Sequence, residues 1–161
     1  MKDITNKQIK LSIQLIDNSK QIPEKPIILQ WVNLTLETCH IMEEYELTVR
    51  IVSKEEIKQL NKQFRSMDTP TNILSFEDEI IPGCRRESLG DLVICPTVLE
   101  EEAIAQNKSI QNHWAHIIIH GVLHLLGYDH QSSLEAADVM ETLEVGILQK
   151  LNIANPYESE K

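Results

Sequence analysis

The sequence lacks a long hydrophobic run, a secretion signal and a paired set of cysteines. No apolar stretch approaches the roughly 18 residues that a membrane-spanning helix needs, so we expect no membrane partner. The N-terminal residues lack the apolar core of a signal peptide. The three cysteines are odd in number and form no CxxC pair, which favours reduced thiols over a disulfide framework. These absences predict a cytoplasmic protein.

Positive charge is also scarce. Fifteen lysines and arginines stand against 25 aspartates and glutamates, which gives a net charge of −10. Such a chain does not have the broad basic surface that is typical of nonspecific nucleic-acid binding. A small basic cleft on an acidic body is still compatible with this composition, because the local potential governs contact and a bound divalent cation adds to it.

The remaining composition is ordinary for one globular domain of 161 residues. Alternating apolar residues and short apolar runs predict four strands, over 8–17, around 47–51, over 72–77 and over 90–95. Helical spacing, with proline or serine at the starts, predicts helices over 26–42, 54–66, 96–107, from about 109 through the histidines, and over 133–151. We interpret the pattern as a single α/β (α+β) domain, 1–161, with frayed ends at about 1–6 and 154–161.

A cluster of histidines carries the strongest chemical signal. His120 and His124 are four residues apart, so a helix presents both on one face. In a continuous helix, His130 would lie roughly 15 Å further along and about 80° away. Gly127 permits a left-handed helix cap that returns His130 to the pair. Three imidazoles that leave a fourth position to water are the ligand set of a catalytic zinc ion, so we predict one Zn²⁺ per chain.

The other histidines have simpler interpretations. We interpret His40 and His113 as packing residues rather than ligands. His116 continues the four-residue stripe, and a rival ligand pair would be His116 with His120. We favour His124 because only this residue is followed by a glycine break and a third histidine. His116 then either supports a ligand, contacts substrate or packs in the core.

The helix predicted over 54–66 carries a second feature. Its apolar face, which we expect to be buried, consists of Ile57, Leu60 and Phe64. Its flank carries Lys58, Lys62 and Arg65, a positive stripe that would ordinarily be a solvated face. The turn after this helix leads directly into a predicted strand, and a turn held by a strand in this way could bind a phosphate or a ribose. Arg65 is the candidate for that contact, because its planar guanidinium can bind two phosphate oxygens and keeps its charge.

Residues 120–130 have the spacing of the metzincin protease signature, but Gly121 stands where those proteases have their glutamate base. With that glycine, the motif resembles the YbeY family of bacterial rRNA maturation factors. The resemblance extends over about 45–151, and Asn72 stands where many relatives have aspartate. Further landmarks in the family's order are Leu60-Asn61, Phe64-Arg65, Asp68, Pro70–Phe76, Gly90–Ile94 and Met140-Glu141.

The resemblance implies a single-strand-specific, zinc-dependent endoribonuclease that acts in 16S rRNA 3′-end maturation and ribosome quality control. It implies His120, His124 and His130 as zinc ligands and Arg65 as a catalytic residue lining the cleft. The implied fold is a four-stranded mixed sheet with about five helices, and the metal site lies in a cleft. The implied partners are single-stranded RNA and the small ribosomal subunit with its proteins, whereas DNA is not expected.

Several points stay open at the level of sequence. The nucleophile is either a metal-activated water or the RNA's own 2′-hydroxyl. Asp129 is our candidate for a proton acceptor or for a carboxylate that orients a metal-bound imidazole. A non-catalytic ribosome-assembly factor stabilised by zinc is the main alternative to a nuclease. A metalloprotease is less favoured because Gly121 cannot act as a base.

Overall fold

The computed structural model describes residues 9–79 and 81–157. All four predicted strands and all five predicted helices are present. In chain order they are β1 (Ile9–Leu15), α1 (Lys25–Thr38), β2 (Tyr45–Ile51), α2 (Lys54–Arg65), β3 (Ile73–Glu77), β4 (Ser88–Ile94), α3 (Pro96–Ala105), α4 (Ile110–Leu125) and α5 (Leu134–Lys150). Residue 8, the predicted start of the first strand, and the outermost parts of both ends lie outside the described residues.

The first helix ends earlier than predicted because of His40. This residue has a φ of 60°, and a left-handed residue ends a helix. The backbone N–H groups of His40 and Ile41 donate to the carbonyls of Glu37 and Leu36, as in a Schellman cap. The expectation that His40 packs in the core is therefore wrong: the residue is exposed at the end of α1.

The four strands form one mixed sheet in the order β1-β2-β4-β3. β1 and β4 both run parallel to β2, whereas β3 is antiparallel to β4 and forms an edge. The mixed sheet implied by the family resemblance is confirmed. Among the described residues, no helix is long and apolar enough to cross a membrane.

The main core lies between the sheet and the helices α1, α4 and α5. Helix α4 lies at its centre, and Trp114, Ile118 and Val122 on this helix are almost completely buried. A smaller core on the opposite face of the sheet lies under α2 and includes Ile57 and Leu74. The histidines of the four-residue stripe, His116, His120 and His124, therefore lie on a helix that is packed in the main core.

Phe64 does not share the burial predicted for the apolar face of α2. The side chain is 50% exposed, and its ring meets the edge of the Phe76 ring at a centroid distance of 5.2 Å. Because Phe76 lies on the edge strand β3, the last turn of α2 extends to the border of the small core rather than over its centre. Ile57 is buried as predicted, and Leu60 is partly buried.

Candidate metal centre and its cleft

Three histidines converge at the C-terminal end of α4. The Nε2 atoms of His120 and His124 are 3.1 Å apart, and the ring centroid of His130 lies 5.3 Å and 5.2 Å from the centroids of those two rings. One ligand atom from each of the three lies within 4.8 Å of the others. A tetrahedral ion with Zn–N bonds of 2.0–2.1 Å needs nitrogens about 3.3 Å apart, so the donor set fits such an ion.

The sequence folds this way because α4 has a tight glycine cap. Gly127 has a φ of 101°, which confirms the predicted left-handed position. Its N–H donates to the His124 carbonyl at 2.9 Å, and the Tyr128 N–H donates to the Leu123 carbonyl at 3.0 Å. This is the Schellman arrangement. The chain therefore reverses within one turn, and His130 returns to the pair on α4.

A buried carboxylate contacts His120, one of the three converging histidines, through the ring nitrogen opposite the one that faces His124. Glu144 on α5 is fully buried, and its Oε2 accepts a hydrogen bond from Nδ1 of His120. Burial alone would raise the pKa of Glu144, but its polar contacts with His116, His120 and the hydroxyl of Tyr157 outweigh that effect and lower the pKa to about 2. Because a carboxylate oxygen can only accept, Nδ1 of His120 is the donor in this contact, and Nε2 is the nitrogen directed toward the other two histidines.

His116 lies on the far side of this carboxylate. Its Nε2 is 3.6 Å from Oε1 of Glu144 and 3.4 Å from the hydroxyl of Tyr157. Burial lowers the pKa of His116 and outweighs the opposing effect of Glu144. Of the alternatives open at the level of sequence, contact with the carboxylate that supports a ligand is the one that the geometry matches.

His116, His120 and Glu144 are also close enough together to form a metal set of their own. Two observations favour the three histidines instead. His120, His124 and His130 line an open cleft, whereas His116 and Glu144 are not among the described residues lining it. In addition, both carboxylate oxygens of Glu144 already accept hydrogen bonds, from His120 and from Tyr157.

The cleft has a volume of about 640 Å³ and brings Arg65 and the three histidines together. Arg65 is the last residue of α2, and its Nη2 donates to the carbonyl oxygen of Ser75 on the edge strand β3 at 3.0 Å. The guanidinium carbon lies 5.3 Å from the centroid of the Phe76 ring. The side chain is thus placed at the cleft while remaining exposed. Lys58 and Lys62 are not among the described lining residues.

Asp129 also lines the cleft, beside His130. Its Oδ1 accepts a hydrogen bond of 2.8 Å from the backbone N–H of Gln131. This bond is the largest cause of the lowered pKa of Asp129. Among the described hydrogen bonds, none joins Asp129 to a histidine of the metal set. The carboxylate that makes such a bond is Glu144.

His113 lies near the N-terminal end of α4, away from the three converging histidines. It is buried and contacts Glu102 on α3. Its Nε2 is 2.8 Å from Oε1 of Glu102, and the side-chain amide of Asn72 donates to the same carboxylate at 3.1 Å and 3.3 Å. Burial raises the pKa of Glu102, but these hydrogen bonds outweigh it and leave the pKa lowered. This contact joins α3, α4 and the segment before β3.

Comparison with known proteins identifies the family. The family model described as Endoribonuclease YbeY matches residues 3–152. The chain belongs to the YbeY family. It is 51% identical over 152 residues to Endoribonuclease YbeY of Francisella tularensis subsp. novicida, covering 91% of this chain and 93% of the relative. It is 45% identical over 149 residues to the protein of that name from Colwellia psychrerythraea, covering 91% and 96%.

A solved structure shows the same fold. The solution structure of TM1509 from Thermotoga maritima is 26% identical to this chain, with a TM-score of 0.54, and the match covers 94% of this chain and 97% of that one. The family model and the relatives confirm the YbeY resemblance stated from the sequence, and this solved structure agrees with it in fold.

In this member of the YbeY family, close packing against the sheet explains why a glycine follows His120. A Cβ at this position would lie 2.7 Å from Cδ1 of Ile73 and 2.9 Å from Cδ2 of Leu92. The position after His120 thus faces the sheet, and a side chain there would force the ends of the Ile73 and Leu92 side chains to shift. A glutamate at this position would begin its side chain against Ile73 and Leu92 of the sheet, which agrees with the sequence-based preference against a protease.

The sequence analysis missed Glu144 as a residue of the site. A signal existed, because Met140 and Ile147 are buried on the same face of α5, and a carboxylate between them interrupts an apolar stripe. A charged residue at a buried helical position needs a partner. The sequence does not show that the partner is His120, because 24 positions separate the two residues.

Proposed function

We propose that this member of an endoribonuclease family is a zinc-dependent enzyme that cleaves single-stranded RNA. We propose further that it acts in 16S rRNA 3′-end maturation and ribosome quality control, with the small ribosomal subunit and its proteins as partners. The observation that carries the proposal is the shared cleft, in which three imidazoles and one arginine face the same space.

Zinc is supported by the chemistry of the donors. The set contains nitrogen atoms only, and the hydrogen bond from Nδ1 of His120 to Glu144 leaves the opposite nitrogen free to bind. Burial is the largest cause that lowers the pKa of His124, and His120 and His130 add to it whenever they are protonated, so the His124 imidazole is neutral at neutral pH. When bound, zinc polarises a phosphoryl oxygen and lowers the pKa of its water toward neutrality.

The side chains of the chain itself supply the remaining chemistry. Arg65 binds a phosphate oxygen and neutralises the charge that develops on phosphorus in the transition state. The lowered pKa of Asp129 keeps this carboxylate ionised at neutral pH, so it can accept a hydrogen bond from the attacking hydroxyl group. The acidic body offers a phosphate backbone only this local attraction, which favours a flexible single strand that can enter the cleft over a rigid duplex.

Cleavage of an end-labelled single-stranded RNA by purified protein, with zinc quantified in the same sample, tests the proposal. About one zinc per chain and cleavage that stops on chelation are expected. A His124→Ala preparation, purified in parallel, controls for contaminating ribonuclease. A 2′,3′-cyclic phosphate product would identify the RNA 2′-hydroxyl as the nucleophile, whereas a free 3′-hydroxyl with a 5′-phosphate would identify water.

Other outcomes distinguish the alternatives. Equal cleavage by the wild-type and His124→Ala preparations would mean that the activity is contamination. Bound zinc without any cleavage, in the presence or absence of small ribosomal subunits, would support a non-catalytic assembly factor. Cleavage of duplex and single-stranded RNA at equal rates would overturn the single-strand specificity alone.

A further inference from the structure

The segment after α5 reaches back to the metal centre. The hydroxyl of Tyr157 donates a hydrogen bond to Oε1 of Glu144, whose other oxygen, Oε2, accepts from Nδ1 of His120. Two hydrogen bonds thus connect Tyr157 to a histidine of the metal set. Residues 154–157 fall in the end that we expected to fray, yet Tyr157 makes a defined contact with a fully buried group.

We propose that Tyr157 is a positioning residue of the metal centre, which holds the Glu144 carboxylate in the orientation that fixes His120. The proposal rests on the proposed function in one respect only, that His120 is a metal ligand. It does not require that the protein cleaves RNA.

The position of Tyr157 is itself determined by local structure. Asn152 has a φ of 62°, and the Ile153 N–H donates to the Leu148 carbonyl, so the chain turns back at the end of α5. The Tyr157 N–H donates to Oδ1 of Asn155 at 2.8 Å. The ring then meets the His116 ring at a centroid distance of 5.7 Å and an angle of 87°. These contacts aim the hydroxyl inward although the residue is 44% exposed.

The Glu144 carboxylate has one hydrogen-bond partner on each oxygen, His120 on Oε2 and Tyr157 on Oε1. With one strong partner on each oxygen, Glu144 cannot rotate about its last bond without losing a hydrogen bond. Loss of the tyrosine hydroxyl leaves Oε1 with the Nε2 of His116 at 3.6 Å, which is too far for a good hydrogen bond. Glu144 is then free to turn, and the His120 ring loses its fixed tautomer and orientation. Such supporting groups are worth about 10–100-fold in metal affinity or activity when they contact the ligand directly.

Tyr157→Phe removes only the hydroxyl and keeps the ring against His116. The measurement is the zinc dissociation constant of the full-length protein, obtained by competition with a chromophoric chelator. Because Tyr157 acts through Glu144, we expect an effect at or below the lower end of that range, about 3–10-fold weaker zinc binding. Tyr45→Phe is the matched control. It removes a hydroxyl from β2, at a ring that faces Arg86, and should leave zinc affinity unchanged.

A second measurement separates positioning from plain structural support. The melting temperature is determined with excess zinc and with EDTA. A positioning role predicts that Tyr157→Phe reduces the increase in melting temperature that zinc produces. A merely structural role predicts an equal decrease in both conditions and an unchanged zinc dissociation constant, which would overturn the proposal.

A double-mutant cycle tests whether the effect passes through Glu144. The loss of zinc affinity caused by Tyr157→Phe should shrink in a Glu144→Gln background. An equal loss in both backgrounds would overturn the proposed route. Wild-type protein that binds zinc tightly but cleaves no RNA would refute the proposed nuclease and leave this inference intact. Wild-type protein that binds no zinc would refute both the zinc cofactor and the positioning role.

Discussion

Arg65 combines an exposed position with a specific orientation, which is unusual for a long, flexible side chain. Its hydrogen bond to the Ser75 carbonyl and its place over the Phe76 ring hold the guanidinium at the cleft. A bound phosphate has to share or displace these contacts, and both partners belong to the edge strand. We therefore expect that removing the Arg65 side chain lowers the rate of cleavage much more than it lowers the stability of the fold.

We predict that Arg65→Ala lowers the rate of RNA cleavage by about 10²-fold or more, the range for loss of one transition-state donor. Zinc content and melting temperature should stay nearly unchanged because the side chain is exposed. Arg65→Lys keeps the charge but loses the planar pair of donors, so it should recover only part of the rate. Single-turnover cleavage of a labelled RNA provides the measurement. A large loss of stability in Arg65→Ala would contradict a catalytic role.

At the scale of elements, the close approach of α4 to the sheet determines where the cleft lies. Gly121 faces Ile73 on β3 and Leu92 on β4, and the hydroxyl of Ser75 lies 3.5 Å from the Gly121 carbonyl oxygen. The absence of a side chain lets the helix lie close to the edge strand. His120, the preceding residue, then lies in the same cleft as Ser75 and Arg65.

Gly121→Ala should destabilise the protein by up to about 2 kcal/mol, because overpacking a well-filled core costs about 1–3 kcal/mol and the gain in helix propensity offsets about 1 kcal/mol. Gly146→Ala on α5 is a matched control, since a Cβ there meets no atom within 4 Å. It should be neutral or stabilising by up to about 1 kcal/mol. Urea unfolding of the metal-free proteins measures both changes. Equal effects of the two substitutions would refute the steric account.

The Glu102 carboxylate joins α3 to His113 on α4 and to Asn72 in the segment before β3. Burial raises the pKa of Glu102, yet hydrogen bonds from His113 and Asn72 lower it below the 4.5 of an unperturbed glutamate. The folded state thus binds this proton less readily than the unfolded state. The stabilisation is present above pH 4.5 and is lost as the pH falls from about 4.5 through the lower folded pKa.

The expected result is a smaller acid sensitivity in Glu102→Gln. The free energy of unfolding, measured in urea between pH 6 and pH 3 with EDTA present, should fall less steeply for the variant than for the wild type. EDTA removes the separate effect of zinc loss at low pH. Parallel pH profiles of the two proteins would contradict the assigned role of Glu102.

At the scale of the whole molecule, an acidic protein has to attract a polyanion. Among the described residues, the charged side chains that line the cleft are Arg65, Glu77 and Asp129, so one arginine lies beside two carboxylates. Arg86 lies 3.7 Å from Glu77 and partly offsets it. If Zn²⁺ binds as proposed, it would be the largest positive charge in the cleft and would make the local charge balance favourable for phosphate.

We therefore predict that chelation weakens RNA binding itself and not only cleavage. Fluorescence anisotropy with a short 2′-O-methyl single strand, checked for integrity on a gel, should show about tenfold lower affinity after EDTA treatment. The salt dependence of binding should be shallow, with a logarithmic slope of about −1 to −2, because few phosphates are neutralised. Equal affinity with and without metal would show that other surfaces bind the RNA.

The sequence alone determined the order of the helices and strands and the convergence of the three histidines, which depend on local spacing. Alternating apolar residues, short apolar runs and helical spacing located the nine elements of the described residues. The spacing of His120, His124 and His130 with a glycine at 127 was enough to predict three converging imidazoles. These predictions succeed because helix periodicity and a left-handed glycine cap are properties of neighbouring residues. The predicted burial of Phe64 failed because periodicity shows which face is apolar but not how far the opposing core extends.

Only the tertiary structure decided which distant groups meet. The strand order, Arg65 on the Ser75 carbonyl, and Glu144 behind His120 with Tyr157 beyond it all join positions that are 10 to 24 residues apart or more. Contacts of this kind depend on how α2, α4 and α5 pack against one sheet. The residues that can hold a metal are therefore determined by local sequence, whereas the groups that orient them are determined by the packing of the whole domain.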